Sequence, residues 1–124
     1  PVQVRSLFKK LKQEVGNLAG SAHFHNTRGQ GLANVLAAIE VGVTTFDASQ
    51  GGIGGCPYAP GASGNIVTED LVYLLESMGL RTGIDIDRLV EAREWLKQGI
   101  PGEPLYGFIP DAGVGKNFKY AKDQ

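Results

Sequence analysis

His23 and His25 are separated by one residue. On an extended strand side chains alternate between faces, so both rings would point the same way and could reach one ion. Imidazole binds zinc at about 2.0–2.1 Å, but no cluster of cysteines accompanies the pair to close a structural zinc site. Oxygen donors beside the histidines would suit magnesium or manganese. The plain alternative is a solvated pair at a strand end, or partners for a cap formed by Asn26 and Thr27. Position favours the metal: Arg28, Gly29 and Gln30 lead straight into a helical pattern. The pair then lies at the C-terminal end of a strand, where βα barrels gather their chemistry.

A second group of residues follows. Gly51-Gly52-Ile53-Gly54-Gly55-Cys56-Pro57 is rich in glycine, which lets a backbone approach a ligand closely and adopt positive φ. No Gly-Lys-Ser/Thr closes it as in a phosphate-binding loop, and it does not run directly from strand to helix as a dinucleotide fingerprint would. Cys56 sits in this loop and not on an apolar face. Its thiol can give up a proton near neutral pH if a metal or histidine is close, or it is a small, partly buried residue without chemistry; position alone leaves the two readings level. Ala59 to Gly64 alternates residues that limit and permit motion, as a hinged lid would. Asn65 has a carbonyl oxygen able to ligate a hard ion, although a turn or capping asparagine is the first reading of that residue by itself. Asp47 either orients a ligand or caps a turn. Glu69 and Asp70 are ordinary in a first helical turn, where carboxylates complement the helix dipole.

The elements that must position these residues are legible from periodicity. Val4, Leu7, Phe8, Leu11 and Val15 share one helix face, and Gly16 ends it. Gly20 to His25 reads as a short strand, Leu32, Val35, Leu36 and Ile39 as a helix before Gly42, and Val43 to Ala48 as a second strand. The loop from Ser49 to about Val67 precedes a helix marked by Leu71, Leu74, Leu75 and Met78, with Thr68 as N-cap. A last helix starts at an Asp85 cap, carries Ile86, Leu89 and Val90, and stops at Gly99 and Pro101. Residues 1–100 form the structured part, and 101–124 are expected as an irregular C-terminal tail.

Strands alternating with helices indicate α/β architecture with parallel strands. Two or three βα units cannot cover such a sheet, because its outer strands would expose unpaired backbone groups. A complete (β/α)8 barrel takes roughly 250 residues, so a chain of 124 residues would supply about half of a TIM barrel. A small open α/β sandwich is the alternative. The missing half-barrel would lie elsewhere or be replaced by a homo-oligomer.

Composition narrows the partners. The 12 basic and 13 acidic residues nearly cancel, without a basic stripe interleaved with aromatics, so nucleic acid is not expected. No apolar run approaches the roughly 18 residues of a membrane span, and no signal peptide is visible. A single free cysteine suits a reducing compartment, the cytoplasm or, in a eukaryote, the mitochondrial matrix.

Taken together, His23-Phe24-His25-Asn26-Thr27-Arg28-Gly29, Phe46-Asp47-Ala48-Ser49, Gly51 to Pro57, and Gly64-Asn65 through Thr68-Glu69-Asp70-Leu71 resemble the hydroxymethylglutaryl-CoA lyases. The resemblance runs from the first helix to about Leu89. It implies the C-terminal portion of a TIM barrel and cleavage of 3-hydroxy-3-methylglutaryl-CoA to acetoacetate and acetyl-CoA. It also implies a divalent metal, Mg2+ or Mn2+, held by His23, His25 and Asn65, with Cys56 and Glu69 as catalytic residues and an acyl-CoA as substrate. Two departures stand out. Asn26 replaces the family's usual aspartate, as in related synthases acting on 2-oxo acids, but those carry Gly-x-Gly-Glu-Arg in the loop. The Arg-Asp pair of the family's first strand is missing from this chain, which is therefore expected to be inactive alone. A lyase-like enzyme for another acyl-CoA or for a 2-oxo acid Claisen reaction, and a non-catalytic half-barrel module that self-associates or binds a partner, are the competing readings.

Overall fold

The computed structural model describes residues 1–124 except Pro57, Ala59, Pro60 and Ala62. The chain divides into two compact units, Pro1–Ala48 with Gly55–Ile66, and Ser49–Gly54 with Val67–Gln124.

The first unit begins with α1 (Val2–Val15), whose periodic apolar positions form the helix the sequence predicts, ended at Gly16. Strand β1 is confined to Ala22–His23 and β2 to Phe46–Asp47, both shorter than expected. They pair in parallel, with Ala22 opposite Phe46 and His23 opposite Asp47, and α2 (Gly31–Ile39) makes the crossover. Ala22, Val35, Ala37, Ala38 and Ile66 are its buried apolar residues. Gln30 holds the N-cap position of α2 without a side-chain cap bond; the Asn26 Oδ1 accepts the Gly31 N–H at 3.0 Å instead. Helix α1 has no buried residue, and Val2 and Leu7 are 76% and 63% exposed, which leaves an apolar face open as a partial βα array must.

A stretch of the loop folds back on the histidine segment. The Ile66 N–H donates to the Phe24 carbonyl at 3.2 Å, the Asn26 N–H to the Gly64 carbonyl at 3.2 Å, and His25 and Asn65 form an antiparallel bridge. Gly31 makes this approach feasible, since a Cβ there would stand 2.3 Å from Ile66 Cγ2 and 3.1 Å from Asn26 Oδ1.

The second unit opens with a 3-10 turn at Gln50–Gly52. Helix α3 (Thr68–Ser77) follows, and Thr68 is its first residue, not its cap: Val67 holds the N-cap position and no side chain caps it. Asp85 does cap α4 (Ile86–Glu91), accepting the Arg88 N–H at 3.1 Å. The single last helix expected is split at Ala92 into α4 and α5 (Arg93–Gly99). Beyond Gly102 regular structure is limited to α6 (Ile109–Ala112) and a 3-10 turn at Ala121–Asp123. This segment is nonetheless held in place. Ile109 joins Val72 and Ile86 in the core, and Phe118 stacks on Tyr73 with ring centroids 5.0 Å apart. Among the described residues no helix is long and apolar enough to cross a membrane.

Three acidic residues of α3 are buried and bonded to loops. The Asp70 carboxylate accepts the N–H groups of Phe108 and Ile109 at 2.9 Å, satisfying donors at the start of α6 that its own helix cannot. The Glu76 carboxylate accepts the Thr82 N–H and Oγ1–H at 2.6 Å and the Ala121 N–H at 2.7 Å. Burial alone would push the Glu76 carboxyl up; hydrogen bonds from Thr82, Ala121 and Gly83 outweigh it and hold the carboxyl below its ordinary range.

Two stability predictions follow from these contacts. A carboxyl depressed in the folded state stabilises above the ordinary glutamate value of about 4.3 and loses that contribution as pH falls toward the lower folded value. Urea denaturation of Glu76→Gln should show a loss of about 1–3 kcal/mol at pH 7, and the gap to the unsubstituted chain should narrow below about pH 4.3. A gap independent of pH would contradict the depressed carboxyl. Gly31→Ala should lower stability by about 1–3 kcal/mol through overpacking against the fully buried Ile66, read as a drop in thermal midpoint.

Candidate metal centre and the glycine-rich loop

The alternation expected of a strand is what assembles the histidine pair. Phe24 turns to the opposite side and meets Phe8 of α1 edge-on, with ring centroids 6.3 Å apart. His23 and His25 are left side by side, their ring centroids 5.1 Å apart. Parallel register puts Asp47 beside His23, and the His23 Nδ1 lies 2.5 Å from the Asp47 Oδ2. The His25 Nδ1 lies 3.0 Å from the Ser63 carbonyl.

These partners determine the tautomers. A carboxylate and a carbonyl only accept, so each Nδ1 carries the proton and donates it. Each Nε2 then presents a lone pair, and a histidine held through Nδ1 by a carboxylate or backbone oxygen is the usual arrangement of a metal-binding imidazole. The antiparallel bridge brings Asn65 alongside His25, with its Oδ1 buried. Two neutral nitrogens and an amide oxygen are a donor set that suits a borderline or hard divalent ion. Among the described residues no group of three or more His, Cys, Asp or Glu could hold a metal ion, so these donors would need others to complete a coordination sphere. Asp47, read from sequence as either a ligand-orienting residue or a cap, accepts a hydrogen bond from the His23 ring. Ser63 gave no sequence signal, because it acts through its backbone.

The two candidate catalytic residues stand differently. Cys56 is exposed with a free thiol, and no hydrogen bond among the described residues joins it to either histidine. The lid reading of Ala59 to Gly64 falls largely on Ala59, Pro60 and Ala62, outside the described residues. Glu69 belongs to the second unit and is fully buried. Its carboxylate accepts the Gly51 N–H at 3.1 Å and an Arg93 Nη1–H at 2.6 Å. It does more than complement the helix dipole: its oxygens hold the first turn of the glycine-rich loop. Sequence reasoning passed over Arg93, although a signal was present. Ile86, Leu89 and Val90 are followed at the same helical spacing by Arg93, which places a cation on an apolar stripe.

A family model described as HMGL-like matches residues 1–96. The hydroxymethylglutaryl-CoA lyase YngG of Bacillus subtilis (strain 168) is 45% identical over 105 residues, 85% of this chain and 35% of its own length. The (R)-citramalyl-CoA lyase of Chloroflexus aurantiacus is 45% identical over 113 residues, 91% of this chain and 35% of its own. Among solved structures, an HMG-CoA lyase from Acenitobacter baumannii in complex with coenzyme A and 3-methylmalate superposes with a TM-score of 0.85 at 45% identity, covering 96% of this chain and 39% of that one. The chain thus spans little more than a third of the length of the relatives it matches. With its parallel βα units superposing on those of solved lyases and most of its length matched by the family model, the chain belongs to the HMGL-like family and is a piece of that family's TIM barrel.

Proposed function

We propose that this chain carries the metal-binding and cysteine-bearing part of a lyase that cleaves 3-hydroxy-3-methylglutaryl-CoA to acetoacetate and acetyl-CoA. The observation that carries the reading is the orientation of the histidine pair: Asp47 and the Ser63 carbonyl accept hydrogen bonds from the two Nδ1–H groups, which leaves both Nε2 atoms available to a metal. His23, His25 and Asn65 are the proposed metal ligands. A bound Mg2+ or Mn2+ would polarise the hydroxyl and carbonyl oxygens of the substrate and stabilise the negative charge that develops there. The other ligands and the rest of the acyl-CoA site would come from the remainder of the barrel, whether on this chain's continuation or on another.

The chain's own residues perform the remaining tasks. Once a base from the remainder of the barrel has taken the tertiary hydroxyl proton, the alkoxide collapses to the ketone of acetoacetate, the bond between C2 and C3 breaks, and its electron pair stays on the α-carbon of the departing acetyl-CoA. The Cys56 Sγ–H delivers the proton to that carbon, completing the methyl group. Gly54 and Gly55, just before Cys56, let the loop approach the thioester and exclude water. Glu69 holds the loop without touching the reacting atoms.

A second reading concerns the acyl group. The (R)-citramalyl-CoA lyase matches this chain at the same identity over a longer stretch, so a lyase for another branched 3-hydroxyacyl-CoA has comparable support. Steady-state cleavage of both thioesters, by protein containing this chain and the remaining barrel, decides between them. In that assay Cys56→Ser should lower kcat by about 10²–10⁴-fold, the range for loss of a positioned acid, while Mn2+ affinity is unchanged. Near-normal turnover by the serine variant would remove Cys56 from the mechanism. Titration calorimetry with Mn2+ tests the metal separately: Asp47→Asn should weaken binding by about 10–100-fold, as expected when a ligand loses its orienting partner.

A further inference from the structure

Gly51 is held from both sides of its peptide plane. Its N–H donates to Glu69, its carbonyl accepts the Tyr106 N–H at 2.7 Å, the Tyr106 carbonyl accepts an Arg93 Nη1–H at 2.9 Å, and the same Arg93 nitrogen reaches Glu69 Oε1 at 2.6 Å. The four residues close a ring of hydrogen bonds. Gly51 has φ 65°, in the left-handed region, and a Cβ there would lie 2.9 Å from Leu105 Cδ2, so both conformation and space demand glycine. Arg93 and Glu69 are 8% and 0% exposed at their side chains.

We propose that Arg93 is a positioning residue for the glycine-rich loop. Glu69 alone could rotate its carboxylate or face Gly51 with one oxygen. Arg93 binds Oε1 while anchored on the Tyr106 carbonyl, so the carboxylate plane is fixed with both oxygens toward the Gly51 N–H, at 3.3 and 3.1 Å. The turn at the start of the glycine-rich loop is thereby locked. The segment after Gly102 takes part through Leu105 and Tyr106, which gives it a role beyond packing. The functional weight of this clamp rests on the reading of Cys56 as the acid carried by that loop.

Amide hydrogen exchange of the 124-residue chain, resolved by residue, tests the clamp without substrate. Arg93→Met should speed exchange of the Gly51 amide by about tenfold or more relative to Val72 in α3, a local opening and not global unfolding. Arg93→Lys should bring it back to within about threefold of the original. If Arg93→Met does not fold because Glu69 is left unpaired, Arg93→Met combined with Glu69→Gln removes the stranded charge, and Gly51 should still exchange about tenfold faster. An unchanged Gly51 amide, or a rise shared equally by Val72, overturns the proposal. Because no turnover is involved, failure of the lyase reading leaves this result intact, and failure of the clamp leaves the metal and cysteine assays intact.

Discussion

His23 meets Asp47 because β1 and β2 run parallel with those two residues opposite each other, and the rest of the candidate metal centre hangs on that register. Strand side chains alternate with a period of two, so a slip of one residue would send His23 and His25 toward α1 and bring Phe24 to the face the two rings now share. The pairing is only two residues long on each strand. It is sustained by contacts on either side: Phe24 against Phe8, and the backbone bonds from Asn26 and Ile66 that draw residues 64–66 alongside. Gly31 is part of the same constraint, since any side chain there would push Ile66, and with it Asn65, away from the histidines.

Much of this was legible in the residues. The spacing of His23 and His25 implied a shared face, and the ring separation follows from that alternation. Amphipathic periodicity located α1 and α2 closely, and Asp85 was legible as the cap of the helix that begins at Ile86. What could not be read were the interactions made by backbone atoms and by distant pairs. The Ser63 carbonyl has no sequence signature, and Thr68 looked like a cap because its residue type favours that position. The helix break at Ala92 falls inside a continuous apolar pattern. The length of the strands was overestimated, because β propensity extends over residues that here make only single backbone bonds.

Buried acids were the largest omission. By position alone Glu69 and Asp70 read as ordinary acids of a first helical turn, where dipole complementarity explains them, and Glu76 carried no signal. Their burial came from the loops they bind: Gly51, the start of α6, and the Thr82 and Ala121 backbone. Partners so far apart in sequence leave no local pattern. The one available clue was Arg93, a cation where the stripe called for an apolar residue, since a buried cation requires a buried anion to face it.

The three anchors on α3 can be counted as constraints on a rigid rod. Adjacent residues of a helix point about 100° apart, so Glu69 and Asp70 grip their partners from two directions and leave α3 no freedom to roll. Glu76, seven residues beyond Glu69, returns to nearly the same azimuth about 10 Å along the axis, which removes sliding and tilting. The helix is therefore indexed in rotation and translation by polar contacts, not by the less directional packing of Leu71 and Val72. A repacked core could tolerate substitutions of similar volume, but the angular setting of α3, and the place at which the glycine-rich loop begins, would persist only while those three carboxylates keep their partners.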